Sequence, residues 1–338
     1  MRAAVFNELH RPLEIRELPD PTPGADEVVV QVERCGICGS DLHMTEDAVF
    51  GLCPGDVLGH EYAGEIVACG NEVASLRPGQ RVSVMPFRSC GRCLSCLSGE
   101  PAWCRQMVLE GGGYGEYAAT AARQCIPLPE GVSTRDGAIV EPLAVALHGV
   151  RLSDLRPGDR VLIIGAGPIG LAVAFWARRF GARQVVVQDV ARYQEARAGE
   201  MGATGFVCAP DDPVAAATRQ LGGEADIVFE CAGVPGLIAQ SIEQVRPHGT
   251  ILLLGLCTRP DAFVPFAALS KEIRLQTAAF FSRREYESAL DVLDAGAVEP
   301  RHLITDMVPL ANVPAVFEAL KSRTRQCKVL ISHEQQQL

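Results

Sequence analysis

No segment of the chain is both long enough and apolar enough to read as a bilayer span. The longest apolar stretch, around Val161 to Ala177, is broken by Gly165, Gly167, Pro168 and Gly170. It falls short of the roughly 20 apolar residues that a transmembrane helix needs. The opening residues, MRAAVFNELHRPLEIRE, carry charges throughout and lack the apolar core of a secretory signal. No membrane partner is expected, and the cytoplasm is the expected setting. Positive charge is also scarce, with 31 Lys and Arg against 41 Asp and Glu and a formal net charge of −10. Neutralising phosphates requires clustered cations, and no basic run supplies them, so no nucleic-acid partner is expected.

What is present is an ordinary globular balance, 48% hydrophobic and 21% charged, on 338 residues, enough for two domains. As far as about residue 150 the chain consists of short β-like runs punctuated by Gly and Pro: 28–32, 65–68, 81–85 and 115–120. Beyond Arg160 the pattern changes to aliphatic runs at 161–164, 185–187, 205–208, 226–229, 250–254 and 273–278. Helix-like segments that end at glycine lie between the first five, such as 168–180 before Gly181 and 191–201 before Gly202. Alternating strands and helices predict a parallel sheet buried on both faces, and six strands complete a doubly wound dinucleotide fold. Helices at 284–295 and 310–320 and a strand at 328–331 make a tail too short to be a domain, expected to return to the first. The glutamine run 335–337 is expected to fray.

Gly165-Ala166-Gly167-Pro168-Ile169-Gly170 follows the first aliphatic run and opens a helix. In this setting the first glycine permits a tight turn, the second admits a pyrophosphate, and the third lets helix and strand pack closely. Pro168 at the first helical turn forfeits no needed N–H, and the helix start offers amides and a positive dipole end to the phosphates. Asp189 ends the second run, 19 residues past Gly170, where a carboxylate accepts the ribose hydroxyls of NAD and repels the 2′-phosphate of NADP. NAD is expected over NADP, with Arg192 a nearby complication. Val190, Gln194, Ala232, Leu254 and Gly255 complete the expected cofactor contacts.

Thirteen cysteines on a large chain expected to stay in the cytoplasm must be sorted by spacing rather than read as a disulfide framework. Cys90, Cys93, Cys96 and Cys104 form C-x2-C-x2-C-x7-C in a Gly- and Ser-containing loop. Four thiolates close a tetrahedral shell, which fits a structural zinc without an open position. An iron–sulfur cluster takes similar spacing, so the metal is argued from context. A second set is Cys38 and His60, with Glu61 or Glu141 to complete about three protein ligands and leave a position for water or substrate. The cysteines at 35, 53, 69, 125, 208, 231, 257 and 327, and His148, His248 and His302, read as structural.

Taken in order, GICGSDLH, GHE, the four-cysteine lobe, EPLAVALHGV and GAGPIG resemble the zinc-containing medium-chain dehydrogenases, nearest to the sorbitol, threonine and polyol dehydrogenase branch. The resemblance spans essentially the whole chain. It implies a GroES-like, partly β-barrel catalytic domain over 1–150 with its zinc lobe at about 88–105. A Rossmann NAD domain with a six-stranded parallel sheet would occupy 151–281, and 282–338 would return to the catalytic domain. It also implies two zincs per chain, a small alcohol substrate and a homodimer or homotetramer.

By position, Cys38 and His60 would ligate the catalytic zinc, Glu61 would often complete the shell, and Glu141 binds directly or exchanges with water in some relatives. Asp41 would hold the tautomer of His60, Ser40 would meet the substrate hydroxyl, and His43 would pass its proton on. The chain departs from its relatives in having Gln194 where many carry a cation, and in the stretches Thr45–Asp56 and Gly111–Tyr114. There Phe50, Leu52 and Tyr114 are expected to make an apolar pocket. The expected reaction is oxidation of a secondary, polyol-like alcohol with NAD. The competing readings are a threonine-dehydrogenase-like amino-alcohol oxidation and a non-catalytic zinc- and nucleotide-binding redox sensor.

Overall fold

The structure, a computed structural model, describes residues 1–208, 212–322 and 325–333. The glutamines at 335–337 lie outside the described residues. The chain divides into two compact units, one of Met1–Glu141, Ser282–Ala297 and Ile304–Leu338, the other of Pro142–Phe281 and Val298–Leu303.

A seven-stranded sheet organises the first unit. Its long central strand, Glu27–Gly36, reads EVVVQVERCG and buries nearly every residue from Val28 to Val32, as a strand covered on both faces should. It pairs antiparallel with Glu61–Cys69 in the register Gly36↔Glu61, and with Tyr117–Ala121 on its N-terminal half. Arg81–Val84 and Cys125–Pro127 extend the sheet on one side. On the other side the terminal strand Lys328–Ser332 pairs antiparallel through Leu330↔Gly36 and carries Ile304–Pro309 parallel to itself. Of these two strands the sequence pattern showed only the terminal one. The apolar core gathers Val28, Val30, Ile66, Val82, Val329 and Ile331 with Phe317 from the helix Val313–Leu320.

The second unit holds a six-stranded parallel sheet of Arg160–Ile164, Gln184–Asp189, Gly205–Cys208, Ala225–Glu230, Val245–Leu253 and Arg274–Thr277. Numbered in chain order within that sheet they lie 3-2-1-4-5-6, the doubly wound order in which ligands bind beyond the carboxyl ends of the strands where the order reverses. The expected fold class holds in both units. The division, however, falls at Glu141/Pro142 rather than at 150, inside the helix Val140–Leu152. Leu143, Ala144, Ala146 and Leu147 of that helix are buried, and the Leu143 carbonyl accepts from the Trp176 indole of the second unit, so most of the helix belongs there. The turn Val298–Leu303 joins the second unit as well, within the span expected to return. Among the described residues no helix is long and apolar enough to cross a membrane.

Candidate active site and metal centres

Strand register builds the first site. Because Gly36 faces Glu61, the chain beyond the end of one strand lies beside the start of the other, and Cys38 meets His60. The Sγ of Cys38, a ring nitrogen of His60 and a carboxylate oxygen of Glu61 lie within 4.8 Å of one another. A Cβ at Gly36 would sit 2.0 Å from Oε2 of Glu61, so a side chain here would displace that carboxylate. Cys38 caps the helix Gly39–Met44. Ser40 and His43 are three apart on that helix and share a face, Ser40 half-buried and His43 exposed.

Asp41 is fully buried and organises the cluster: Oδ1 accepts from Nδ1 of His60 at 3.1 Å, Oδ2 from the Tyr114 hydroxyl at 2.7 Å and from the Cys38 N–H at 3.3 Å. Burial alone would raise its pKa, but His60 and Tyr114 outweigh burial and hold the carboxyl below its ordinary value. Burial equally resists charge on His60, yet Asp41 and then Cys38 raise its pKa well above the imidazole range. With Nδ1 engaged by Asp41, Nε2 is left for a metal. Tyr114 was expected to wall an apolar pocket. It is instead fully buried with its hydroxyl on Asp41, an acceptor that offsets the cost of taking the phenol O–H out of water.

Lys328 was missed by sequence reading. It is one of only three lysines in the chain, and it is 1% exposed. Its Nζ donates to both carboxylate oxygens of Glu61 at 2.7 Å and to the Ile37 carbonyl at 3.1 Å. Burial opposes its charge, and Glu61 more than restores it, raising the pKa. The available signal was a lysine opening the aliphatic run VLI, where only a buried partner makes sense. Glu141 lies outside the 4.8 Å group of donors. It is buried, and burial pushes its carboxyl up to about 7, with His60 opposing and Glu61 reinforcing. Next to the cluster, Asp41 and His60 line a cavity of 280 Å³ together with Met44, Leu52 and residues 108–111.

The four-cysteine lobe also closes. Cys90, Cys93, Cys96 and Cys104 bring their sulfurs within 4.8 Å of one another, with Cys93 and Cys96 at 3.5 Å. The Arg92 and Cys93 N–H groups hold the Cys90 thiol down at about 6, on the way to the thiolate a metal binds. A soft four-sulfur set suits zinc.

In the second unit Gly165 has φ +103°, and a Cβ on Gly170 would fall 1.9 Å from the Gly165 carbonyl oxygen. A Cβ on Gly167 would meet nothing within 4 Å, which gives the start of the helix Pro168–Arg179 an open cradle of backbone. Asp189 is tied into this loop, Oδ2 accepting from Ala166 N and Oδ1 from Ala191 N, both at 2.8 Å. Val190 is exposed beside it. Ala232 packs against Gly165, and Gly255 against Gly233. Two expected contacts turn their side chains elsewhere: Leu254 packs on Gly149, and buried Gln194 accepts from Arg197. Glu230 was not foreseen. This buried carboxylate, raised by burial, takes the N–H groups of Ala232 and Gly233 at 2.7 and 2.8 Å and so shapes the loop facing the glycines.

Residues 24–130 match the alcohol dehydrogenase GroES-like domain, and residues 168–295 the zinc-binding dehydrogenase domain. The chain belongs to the zinc-containing medium-chain alcohol dehydrogenases and is a zinc-dependent oxidoreductase that acts on alcohols with NAD or NADP. Among its relatives, the probable D-xylulose reductase A of Aspergillus clavatus is 33% identical over 91% of this chain and 89% of its own. The sorbitol dehydrogenase of Bacillus subtilis strain 168 is 30% identical over 98% and 97%. Two solved structures each cover 98% of this chain. A short chain alcohol dehydrogenase from Escherichia coli CFT073 complexed with NADH has a TM-score of 0.90, 29% identity and 99% coverage of its own chain. A putative zinc-binding dehydrogenase from Sinorhizobium meliloti 1021 bound to NADP has 0.89, 32% and 98%. The sensor reading gives way to that of an enzyme.

Proposed function

We propose that the chain oxidises the secondary alcohol of a small polyol or diol with NAD, using a zinc held by Cys38, His60 and Glu61. The convergence of one thiolate, one imidazole and one carboxylate beside a cavity lined by His60 supports this reading above all. A site of three protein ligands keeps a position for substrate, whereas the lobe of Cys90, Cys93, Cys96 and Cys104 fills its shell and would hold a structural zinc. Glu61 is favoured over Glu141 as the third ligand because its oxygen stands with the other two donors. One oxygen can keep Lys328 while the other faces the metal.

When bound, zinc supplies a Lewis acid at the substrate oxygen and NAD a hydride acceptor. Asp41 fixes His60 through Nδ1, with Tyr114 and the Cys38 N–H fixing Asp41. Ser40 would take the hydroxyl proton, and exposed His43, on the same helix face, would hand it to water. Gly165, Gly167, Pro168, Ile169 and Gly170 would seat the pyrophosphate. Asp189 would take the adenosine ribose and favour NAD over NADP, with Val190, Ala232 and Gly255 beside it.

Replacement of Cys38 by Ser or of His60 by Ala is expected to abolish turnover while circular dichroism stays native. Full activity with unchanged zinc content would overturn the assignment. Assayed with both nucleotides, kcat/KM should favour NAD. The zinc lobe needs reduced thiolates, which suits the cytoplasm. A homo-oligomer is part of the proposal: the edge strand Arg274–Thr277 exposes Leu275, and Val264, Phe266 and Leu269 are exposed just before it.

A further inference from the structure

The 280 Å³ cavity beside His60 carries information about the substrate that the metal donors do not. Its lining contains three carboxylates and no lysine or arginine. Two of the three are already committed to protein partners. Asp41 has His60, Tyr114 and the Cys38 N–H. Glu110 gives Oε1 to the Arg88 guanidinium at 2.6 Å and Oε2 to the Thr120 hydroxyl at 3.1 Å. Asp56 is exposed, and its Oδ2 caps the Cys53 N–H at 2.8 Å. The rest of the wall is mainly hydrocarbon: Met44, Leu52, Val57, Leu58, Val108 and Leu109.

From this wall we infer that, if the chain is the alcohol oxidoreductase proposed above, its substrate is an uncharged, short vicinal diol or secondary alcohol with a hydrocarbon end. A phosphate or carboxylate would enter beside three acids and find no lysine or arginine on the wall to pair it away from the metal position. A fully hydroxylated hexitol would lay hydroxyls that water had satisfied against six apolar side chains and lose those hydrogen bonds. A methyl or ethyl end meets the same wall with apolar area to bury. The reaction balances simply: the carbinol carbon gives a hydride to NAD, the hydroxyl proton goes to water, and a ketone and NADH result.

The test is a panel assayed with the zinc-loaded enzyme and NAD, following NADH: 2,3-butanediol, sorbitol, a hexitol phosphate and threonine. The expected order places kcat/KM for 2,3-butanediol at least ten-fold above sorbitol, with the phosphate ester and threonine lower still. Equal or better use of sorbitol, or preference for either charged substrate, overturns this inference and leaves the alcohol oxidoreductase standing. No turnover of any of the four, with zinc in place and NADH bound, overturns both this inference and the proposed polyol or diol substrate. A variant provides the second arm. Val108 is 59% exposed, so Val108→Lys is compatible with the fold and places a cation on the wall. It should raise kcat/KM for the hexitol phosphate relative to 2,3-butanediol by ten-fold or more. An unchanged ratio counts against the wall as the selecting surface.

Discussion

Tyr114 and Lys328 would decide how firmly the proposed catalytic donors are held, and both act through a carboxylate. Tyr114→Phe removes a single hydroxyl and leaves Asp41 short of one buried donor, at a cost of about 1–3 kcal/mol. His60 then loses part of its orientation. The variant should release zinc from the catalytic site faster in a chelator-competition assay, and kcat should fall about ten-fold with the KM for NAD unchanged. Lys328→Met leaves the Glu61 carboxylate buried without its cation, and breaking such a pair costs about 3–5 kcal/mol. A clear loss of thermal stability in the zinc-free protein is expected, where no metal can take over the charge. Cys38, Asp41, His60 and Glu61 were legible as a group because their spacing and order resemble a known pattern. Tyr114 and Lys328 were not, because each reaches the cluster across a strand pairing or a loop that only the folded sheet creates.

At the scale of the element, the cofactor loop and the zinc lobe make opposite predictions. Gly170→Val forces a side chain into the Gly165 carbonyl, so the loop must open. NADH binding, read by the fluorescence of the nicotinamide, should be lost while both zincs remain. Cys93→Ser breaks the closed four-sulfur shell, so one zinc is lost and the lobe between Ser89 and Cys104 loosens. Proteolysis in that segment and a lowered melting temperature are the expected readouts, with turnover impaired only as far as stability is. Both elements could be read in one dimension, because each carries its residues within a short segment whose spacing matches the chemistry. The strands Arg2–Val5, Glu14–Glu17 and Ile304–Pro309 escaped notice: the first two are short, and the third alternates weakly. The division at Glu141/Pro142 escaped too, because a single helix runs through it and no Gly or Ser linker marks it.

For the molecule as a whole, the two donor clusters predict a metal stoichiometry of two zincs per chain, measurable by atomic absorption on protein purified without chelator. The two should leave in order under chelation. The three-donor site opens onto a cavity and should empty first with loss of activity. The four-sulfur site should empty later with loss of structure. A single zinc per chain in fully active protein would contradict the site assignment.

The pairing of Lys328 with Glu61 also imposes an order in time. The two are separated by 267 positions in the chain. During synthesis Cys38, His60 and Glu61 leave the ribosome before the second unit, and the cation that neutralises Glu61 follows after that unit. Until the final strand docks beside Gly36, that carboxylate has no partner in the protein. The proposed catalytic pocket is therefore finished only once the strand Lys328–Ser332 has docked, after both the four-cysteine lobe and the second unit have been made.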